Sequence, residues 1–568
     1  MSRGTHHSLL ITHHYSLSNQ AMIILYNPQS SANRKPVLPM SLLAVGAVLE
    51  GQYDYCIVDG NLEADPLARL DGLVRAAGGD PILAVTVMPG PQLSQAVPLC
   101  RELKRRHPHL TIVWGGYFPT QHWDACLRSA FVDYVVRGHG EYVFLRLVQS
   151  LRSGQVAGSK WQVAQAAGLR VAGDIQNPKS KIQNEAAAGG KWQVAGGSYQ
   201  LPMTNDQLPI TNDQSIPGLA YRSATGEPVS NPLAPIPPPS QLPEWNFDRL
   251  EMSRYPRRTF LGSRTLGYHS SYGCPFFCNF CAVVNMVNGR WLPQPAAQVA
   301  RIAHLYHQRW GVNAIEFYDN NFFTQQARTA EFAERIKGLG LRWWGEGRID
   351  TMLQYSDRTW RLMAAAGLQM VFMGAESGSN ETLKRMDKGG TMSTDKTLAM
   401  ARLMKSYGIV PEFSFVMGNP PDPEGDALQT IEFIRQVKRI NPQTEIIMYL
   451  YTPVPLAGEL YEEAKAEGFA FPQTLEEWVS PAWLNFSQRR STTMPWLKQP
   501  LQEKLHDFER VINAYYPTST DARLTGAWRA VLKTAAAWRY HTGFYRFPLE
   551  LRALHKLVAY QRPETSGF

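Results

Sequence analysis

Cys274, Cys278 and Cys281 share one short loop, Tyr272-Gly273-Cys274-Pro275-Phe276-Phe277-Cys278-Asn279-Phe280-Cys281-Ala282, with C-x3-C-x2-C spacing. Three thiolates at that spacing can hold three irons of a [4Fe-4S] cube and leave the fourth iron open. A cluster that only carries electrons is ordinarily held by four cysteines, whereas an open iron is a place for a substrate or cofactor to bind. Structural zinc is the competing chemistry, and it needs four N or S ligands, usually as paired C-x2-C knuckles. No second cysteine pair and no H-x3-H follows the loop.

This C-x3-C-x-aromatic-C pattern after a short strand resembles the radical SAM enzymes. The resemblance implies that the open iron chelates the amino and carboxylate groups of S-adenosylmethionine. It also implies that an electron from the cluster cleaves the sulfonium to give a 5'-deoxyadenosyl radical that abstracts hydrogen. Such chemistry belongs to the cofactor, so the protein's part is positioning and exclusion of side reactions.

Elements that could position this loop run along the whole chain of 568 residues, which is too long for one core and predicts three or four domains. Hydrophobic content of 44% and charged content of 18% suit a folded protein. The longest uncharged apolar stretch, near residues 36–49, is too short to span a bilayer, and the opening residues lack a signal-peptide pattern. A cytoplasmic location without a transmembrane segment is therefore expected. Six cysteines, three of them in the loop, make no disulfide framework, so Cys56, Cys100 and Cys126 are expected to be buried small hydrophobes. The net charge of +9 is diffuse, without a Lys/Arg run, which argues for a solvated basic surface and against a nucleic-acid partner.

Residues 1–20 read as a polar tail, and from Ala21 short apolar runs alternate with helical patterns: Met22–Tyr26, Met40–Leu49, Tyr53–Val58, Ile82–Val87, Leu93–Arg106 and Leu110–Trp114. That rhythm predicts an α/β, doubly wound (flavodoxin-like) parallel sheet over residues 21–150, whose ligands would sit beyond the carboxyl ends of the strands. Ahead of the cysteine loop, this unit resembles the cobalamin-binding domain of many radical SAM enzymes, in Val113-Trp114-Gly115-Gly116 and Val136-Arg137-Gly138-His139-Gly140-Glu141. Asp59, Gly90, Gly115, Gly116, Gly138 and Glu141 are the candidate cobalamin contacts that this implies. The D-x-H-x-x-G motif of mutase-type domains is absent, so bound cobalt is expected to lack a protein histidine.

Between residues 153 and 215 the composition turns to Gly, Ala, Gln, Asn and Ser, and two short runs repeat: Lys160–Ala164 at Lys191–Ala195, and Leu201–Gln207 in the next seven residues with one change. Two imperfect copies are too few to stack, and the segment is expected to be a mobile, dispensable insertion. Growing a loop to that length costs roughly 2 kcal/mol, which a large domain tolerates. A linker over 216–255, Pro-rich from Pro232 to Pro243, is expected to follow.

Residues 256–470 resume the β/α alternation at Ala314–Tyr318, Met370–Met373, Phe413–Met417 and Ile446–Leu450, which predicts a partial (β/α) barrel with its chemistry at the C-terminal strand ends. Asp319, Arg348, Glu376, Ser377 and Gly418 lie there and are the candidate S-adenosylmethionine contacts. A carboxylate such as Glu376 can accept both ribose hydroxyls, Arg348 can fork a carboxylate, and Gly418 leaves room for adenine. In the resembled family the Glu and Ser of G-x-E-S-G touch the nucleoside, which carries over to Glu376 and Ser377. Residues 471–568 form an aromatic-rich helical extension, with Trp496, Trp528 and Trp538 among its rings, and its place makes it a candidate substrate cap.

The expected activity is therefore that of a radical SAM enzyme using a [4Fe-4S] cluster, S-adenosylmethionine and cobalamin to methylate an unactivated carbon of a small-molecule substrate. An electron donor such as ferredoxin or flavodoxin is the expected partner. The alternative outcome is oxidative cyclisation of the anaerobic magnesium-protoporphyrin monomethyl ester type. A tRNA methylthiotransferase would need Cys56, Cys100 and Cys126 on a second cluster, yet all three fall within strand or helix patterns and no basic RNA-binding barrel follows. A pure electron-transfer role leaves the open iron and Glu376 unused.

Overall fold

The computed structural model of the chain describes residues 22–30, 36–153, 215–287, 289–388, 390–455, 458–487, 494–518, 520 and 524–557. The polar tail and almost all of the segment 153–215 lie outside the described residues.

The first sheet contains β1 (Ile23–Asn27), β2 (Tyr55–Asp59), β3 (Ile82–Thr86), β4 (Thr111–Gly115), β5 (Tyr134–Val136), β6 (Leu219–Arg222) and β7 (Pro228–Ser230), in the order β2-β1-β3-β4-β5-β6-β7. β1 to β5 are parallel, in the flavodoxin-like order whose ligand crevice opens between β1 and β3. Every residue of β1 is buried, because helices cover both faces. Ile24, Tyr26, Leu83, Val85, Ile112 and Trp114 pack against the helices Pro66–Ala76 and Pro91–Arg106. Their neighbours Ile23, Leu25, Ile82, Ala84 and Val113 pack against Met40–Leu49 and Glu141–Arg152. Strand alternation thus splits one apolar run between two cores.

β6 and β7 lie within the stretch expected to be linker. They form an antiparallel hairpin on β5, so the chain rejoins the first sheet before crossing to the second. Three- and four-residue strands bounded by Gly and Pro give no readable period, and the tertiary contacts decide them: one Arg222 nitrogen donates to the carbonyls of Leu127, Ser129 and Val132 at 2.7–3.1 Å. Pro228 sits on the outermost strand, where a missing N–H is harmless.

In the second sheet, β8 (Thr265–Tyr268), β11 (Ala314–Phe317), β12 (Arg342–Gly347), β13 (Leu368–Glu376), β14 (Val410–Met417) and β15 (Glu445–Leu450) are parallel in chain order, as in a partial barrel. β9 (Ser271–Gly273) and β10 (Trp291–Pro293) form a separate antiparallel pair flanking the cysteine loop. β12, Arg-Trp-Trp-Gly-Glu-Gly, was obscured in the sequence by its glycines and charges. Its alternation is nevertheless decisive: Trp343 packs outward with Phe317, Phe322 and Phe332, while Trp344 stands with Tyr318 and Phe372 on the inner side.

The inner wall is partly polar. Arg257 pairs with Glu316 at 2.6 Å, and Trp344 Nε1 donates to Glu412 at 2.8 Å. The C-terminal helices Gln499–Tyr515 and Gly526–Thr542 pack on each other, and the first of them also meets the helix Pro423–Ile440. An aromatic group of Phe471, Trp478, Trp483 and Phe486 carries this region onto Phe118 and His122 of the first domain, with ring centroids 4.5–5.1 Å apart across the junction. The extension is therefore a bolt between the two sheets.

Burial raises the Glu412 carboxyl from an ordinary value of 4.5 to about 8, with Glu445 and Glu316 adding and the Trp344 donor opposing. The folded chain thus keeps a proton that the unfolded chain loses near its ordinary value. The stability this supplies is complete below about pH 4.5 and disappears as pH rises to about 8. Glu412→Gln keeps an acceptor for Trp344 without the titration. Its thermal midpoint should fall less than the wild type's between about pH 5 and pH 8, and equal slopes would remove Glu412 from the pH dependence.

Candidate functional site

The cysteine loop is rooted by a buried carboxylate. Asp319, fully buried just beyond β11, accepts from the Ser270 N–H at 3.0–3.1 Å, from Ser270 Oγ at 2.8 Å and from Ser271 Oγ. Arg328 donates to the Ser270 carbonyl and hydroxyl at 3.1 and 2.7 Å, completing the set. Gly273 then turns with φ +80, where a Cβ would collide with the Arg290 carbonyl. Asp319 is thus aimed at the root of the loop. Two residues on, Asn321 Nδ2 stands 4.0 Å from Cys274 Sγ.

Cys278 lies among charges. Arg348, at the end of β12, donates through Nη1 to Cys278 Sγ at 3.4 Å, and its guanidinium lies 3.7 Å from the Phe276 ring centroid. Its remaining nitrogens are taken: Nε and Nη2 fork Asp350 at 3.0 and 2.7 Å, and Nη2 also reaches the Lys388 carbonyl at 2.9 Å. The carboxylate that Arg348 was expected to fork is therefore Asp350 of its own chain.

Glu376 ends β13 with φ +65, a conformation that non-glycine residues seldom adopt. A register shift between Gly374 and Glu376 against β14 produces it, and such a bulge re-aims a side chain. Glu376 is thereby turned onto the buried ammonium of Lys388, which also donates to the Gly374 carbonyl. A Cβ on Gly374 would occupy the space of both groups. Lys388 went unassigned in the sequence, because nothing local shows that it folds back across twelve residues to a strand end.

The other two candidates on this sheet are engaged inside the protein. Ser377 Oγ donates to Asp426 at 2.7 Å and accepts from Ser379 N–H at 3.0 Å, tying the strand end to the helix Pro423–Ile440. Gly418 has φ +76, and the place of its missing side chain is filled by Leu497, while its carbonyl accepts from Trp496 Nε1 at 3.0 Å. The space beside the Gly418 Cα is thus occupied by the C-terminal extension.

The strand ends of the first sheet face the cysteine loop. Tyr272, two residues before Cys274, donates to Glu141 Oε1 at 3.2 Å and carries the His139 ring at 4.4 Å. Gln121 donates to the Ala282 carbonyl at 3.3 Å and accepts from Asn285 at 2.8 Å. The second oxygen of Glu141 is buried without a protein partner. Gly138 (φ +74) donates its N–H to Thr120 at 3.0 Å, and Gly90 (φ +85) has open space where a side chain would stand. At Gly116 (φ +99) a Cβ would press on Thr86 at 3.0 Å, whereas at Gly115 it would find only ordinary contact with Val136. Asp59 accepts from Asn27, Asn61 and, at 3.1 Å, Tyr255, a set of internal bonds that holds its turn.

Burial raises all three loop thiols, Cys281 to about 12, so cluster assembly must displace their protons. Among the described residues no three His, Cys, Asp or Glu side chains gather as one metal ion would need. A cube places each sulfur on its own iron and needs no such convergence. Cys56, Cys100 and Cys126 lie on β2, the helix Pro91–Arg106 and the helix Trp123–Leu127, with Cys100 and Cys126 fully buried. Glu346 on the inner wall is raised to about 8 by burial, then by Asp319 and Glu412.

Comparison with known proteins agrees with this geometry. Residues 268–434 match the radical SAM superfamily and residues 34–148 the B12-binding domain. An uncharacterised methyltransferase of Pyrococcus horikoshii is 22% identical over 429 residues, 73% of this chain and 78% of that protein. The anaerobic magnesium-protoporphyrin IX monomethyl ester cyclase of Synechocystis is 22% identical over 441 residues, 75% of this chain and 74% of that protein. Among solved structures, the radical S-adenosylmethionine methyltransferase TsrM of Kitasatospora setae, with cobalamin and a [4Fe-4S] cluster bound, shares the fold at a TM-score of 0.54. It is 17% identical, and the match covers 79% of this chain and 78% of that one.

The chain is a radical SAM enzyme. A B12-binding domain precedes its radical SAM domain, and its cofactors are a [4Fe-4S] cluster, S-adenosylmethionine and cobalamin. The donor sets fit these groups: three thiols with cations beside Cys278 at one strand-end face, and glycine turns with an unpartnered Glu141 oxygen at the other.

Asp319→Ala strands the donors of Ser270 and Ser271, and hydrogen bonds to a buried charge are worth roughly 1.5–3 kcal/mol each. Urea unfolding should show a loss of about 3 kcal/mol, with less iron retained on reconstitution. A loss below about 1 kcal/mol would show that the loop root is held by other contacts.

Proposed function

We propose that this enzyme methylates an unactivated carbon of a small-molecule substrate at the junction of its two sheets. The observation that carries the reading is the contact of Tyr272 with Glu141 and His139, which sets the first sheet's strand-end cleft against the cysteine loop. When bound, the cofactors supply methyl transfer through cobalt and hydrogen abstraction by a carbon radical. Cys274, Cys278 and Cys281 hold the cluster.

Glu376 accepts from the ribose or ammonium of S-adenosylmethionine, and the Lys388 ammonium lies beside it for the carboxylate, while Arg348 stays with Asp350 and the Cys278 sulfur. Asp319, Ser377 and Gly418 serve that site by holding the loop root and the neighbouring strand ends. Gly90, Gly115, Gly116 and Gly138 let backbone approach the corrinoid, Glu141 offers its free oxygen to a corrinoid amide, and Asp59 fixes the turn beside them. The aromatic group around Trp478 keeps the junction dry, which a radical needs. Ferredoxin or flavodoxin is the electron donor, and the cluster calls for a reducing, cytoplasmic setting. The relationship to a magnesium-protoporphyrin cyclase favours one second reading, in which the same cofactors close a ring.

Changing Cys274, Cys278 and Cys281 together to Ala should abolish the cluster absorption of anaerobically reconstituted protein. Retention of about four irons per chain in that variant would sink the assignment.

Purified protein given hydroxocobalamin should keep about one cobalt per chain, and paramagnetic resonance of its Co(II) form should lack the splitting from a coordinated nitrogen, in keeping with the missing D-x-H-x-x-G motif. Protein with an intact cluster that retains no corrinoid would end the methyl-transfer reading. A nitrogen splitting would instead show a nitrogen base on cobalt, the cofactor's own benzimidazole or a protein imidazole, which ¹⁵N-labelled histidine would distinguish.

A further inference from the structure

One nitrogen of the Arg348 guanidinium, Nη1, is engaged by neither Asp350 nor the Lys388 carbonyl, and it is directed at a cysteine sulfur. Asp350 takes Nε and Nη2, and Asp350 is itself fixed by Thr391 Oγ1 and by the Thr351 N–H at 3.0 Å. Phe276, from inside the cysteine loop, lies against the guanidinium plane. Clamped by the fork, the carbonyl of Lys388 and the ring, Arg348 presents Nη1 to Cys278 Sγ, 3.4 Å away. A clamp of this kind does not suit a residue that must swing to meet a ligand.

We propose that Arg348, oriented by Asp350, is a positioning residue for the cluster itself: it donates a charge-assisted hydrogen bond to the Cys278 sulfur and raises the cluster's reduction potential. Reduction adds an electron to a group that is already anionic. A cation and an N–H donor on a ligating sulfur stabilise the reduced form more than the oxidised one, and hydrogen bonds to the sulfurs are among the determinants of such potentials. Asn321 Nδ2, at 4.0 Å from Cys274 Sγ, stands in a weaker version of the same relation on a second sulfur. The inference rests on the assignment of the cluster to the three cysteines and goes beyond it by giving Arg348 a target other than the nucleoside.

The test is a redox titration of the full chain, reconstituted with iron and sulfide and followed by paramagnetic resonance without S-adenosylmethionine. Arg348→Gln removes the charge and leaves Asp350 uncompensated near the cluster, so its midpoint potential should be more negative than the wild type's at equal iron content. Arg348→Lys, which keeps the charge but not the fork, should fall between them. A wild-type potential in Arg348→Gln with full iron overturns the proposal.

If Arg348→Gln does not retain iron, the wild-type chain decides. With ¹⁵N in its arginine guanidinium groups, the reduced cluster should show a ¹⁵N hyperfine coupling. Absence of that coupling overturns the proposal. A wild-type chain that loads no cluster counts against the cysteine assignment instead.

Discussion

The placement of one buried negative charge, Asp319, organises the catalytic half of the molecule. A carboxylate with no exposure is tolerated only where donors surround it. Here the donors come from Ser270 and Ser271, and Arg328 bonds the same serine. Satisfying that charge pins the start of the cysteine loop to the end of β11. The three thiols therefore emerge at the strand-end face and not elsewhere on the barrel rim. Glu376, Lys388, Arg348 and Asp350 gain their relation to Cys278 only because the loop starts at this place.

A second constraint joins the halves. The strand ends of the first sheet and the cysteine loop meet through Tyr272, Glu141, His139, Gln121 and Asn285, a mixed polar and aromatic contact. Farther out, Phe118 and His122 enter the aromatic group of the C-terminal extension, where burial lowers His122 to about 3 and keeps its ring neutral. The extension fills the space at Gly418 with Trp496 and Leu497 and bridges to the first domain through Trp478.

Much was legible in the chain itself. The first four parallel strands of the first sheet and the inner strands of the second are short apolar runs between helical patterns, and burial on both faces is written directly into such runs. The cysteine spacing was legible for a different reason, since the chemistry it serves demands those residue types at that separation. Harder to read were β6, β7, β8 and β12, because three- to six-residue strands interrupted by Gly, Pro or charge carry no period of their own. They exist because neighbouring strands offer them a ladder of hydrogen bonds.

The site residues divide along the same line. Residue type and strand-end position, which are local properties, singled out Asp319, Arg348, Glu376, Ser377, Gly418 and the glycines of the first sheet. What each side chain touches depends on groups far away in sequence: Asp319 on Ser270, Ser377 on Asp426, Gly418 on Leu497, Glu141 on Tyr272. The sequence by itself determined the two-sheet architecture and the chemistry of the loop, because both follow from periodicity and spacing along the chain. Only the tertiary structure decided that Arg348 serves Asp350 and Cys278 and that Lys388 closes on Glu376, because an ionic partner is chosen by proximity inside a folded, low-dielectric interior, and proximity is not a property of the linear chain.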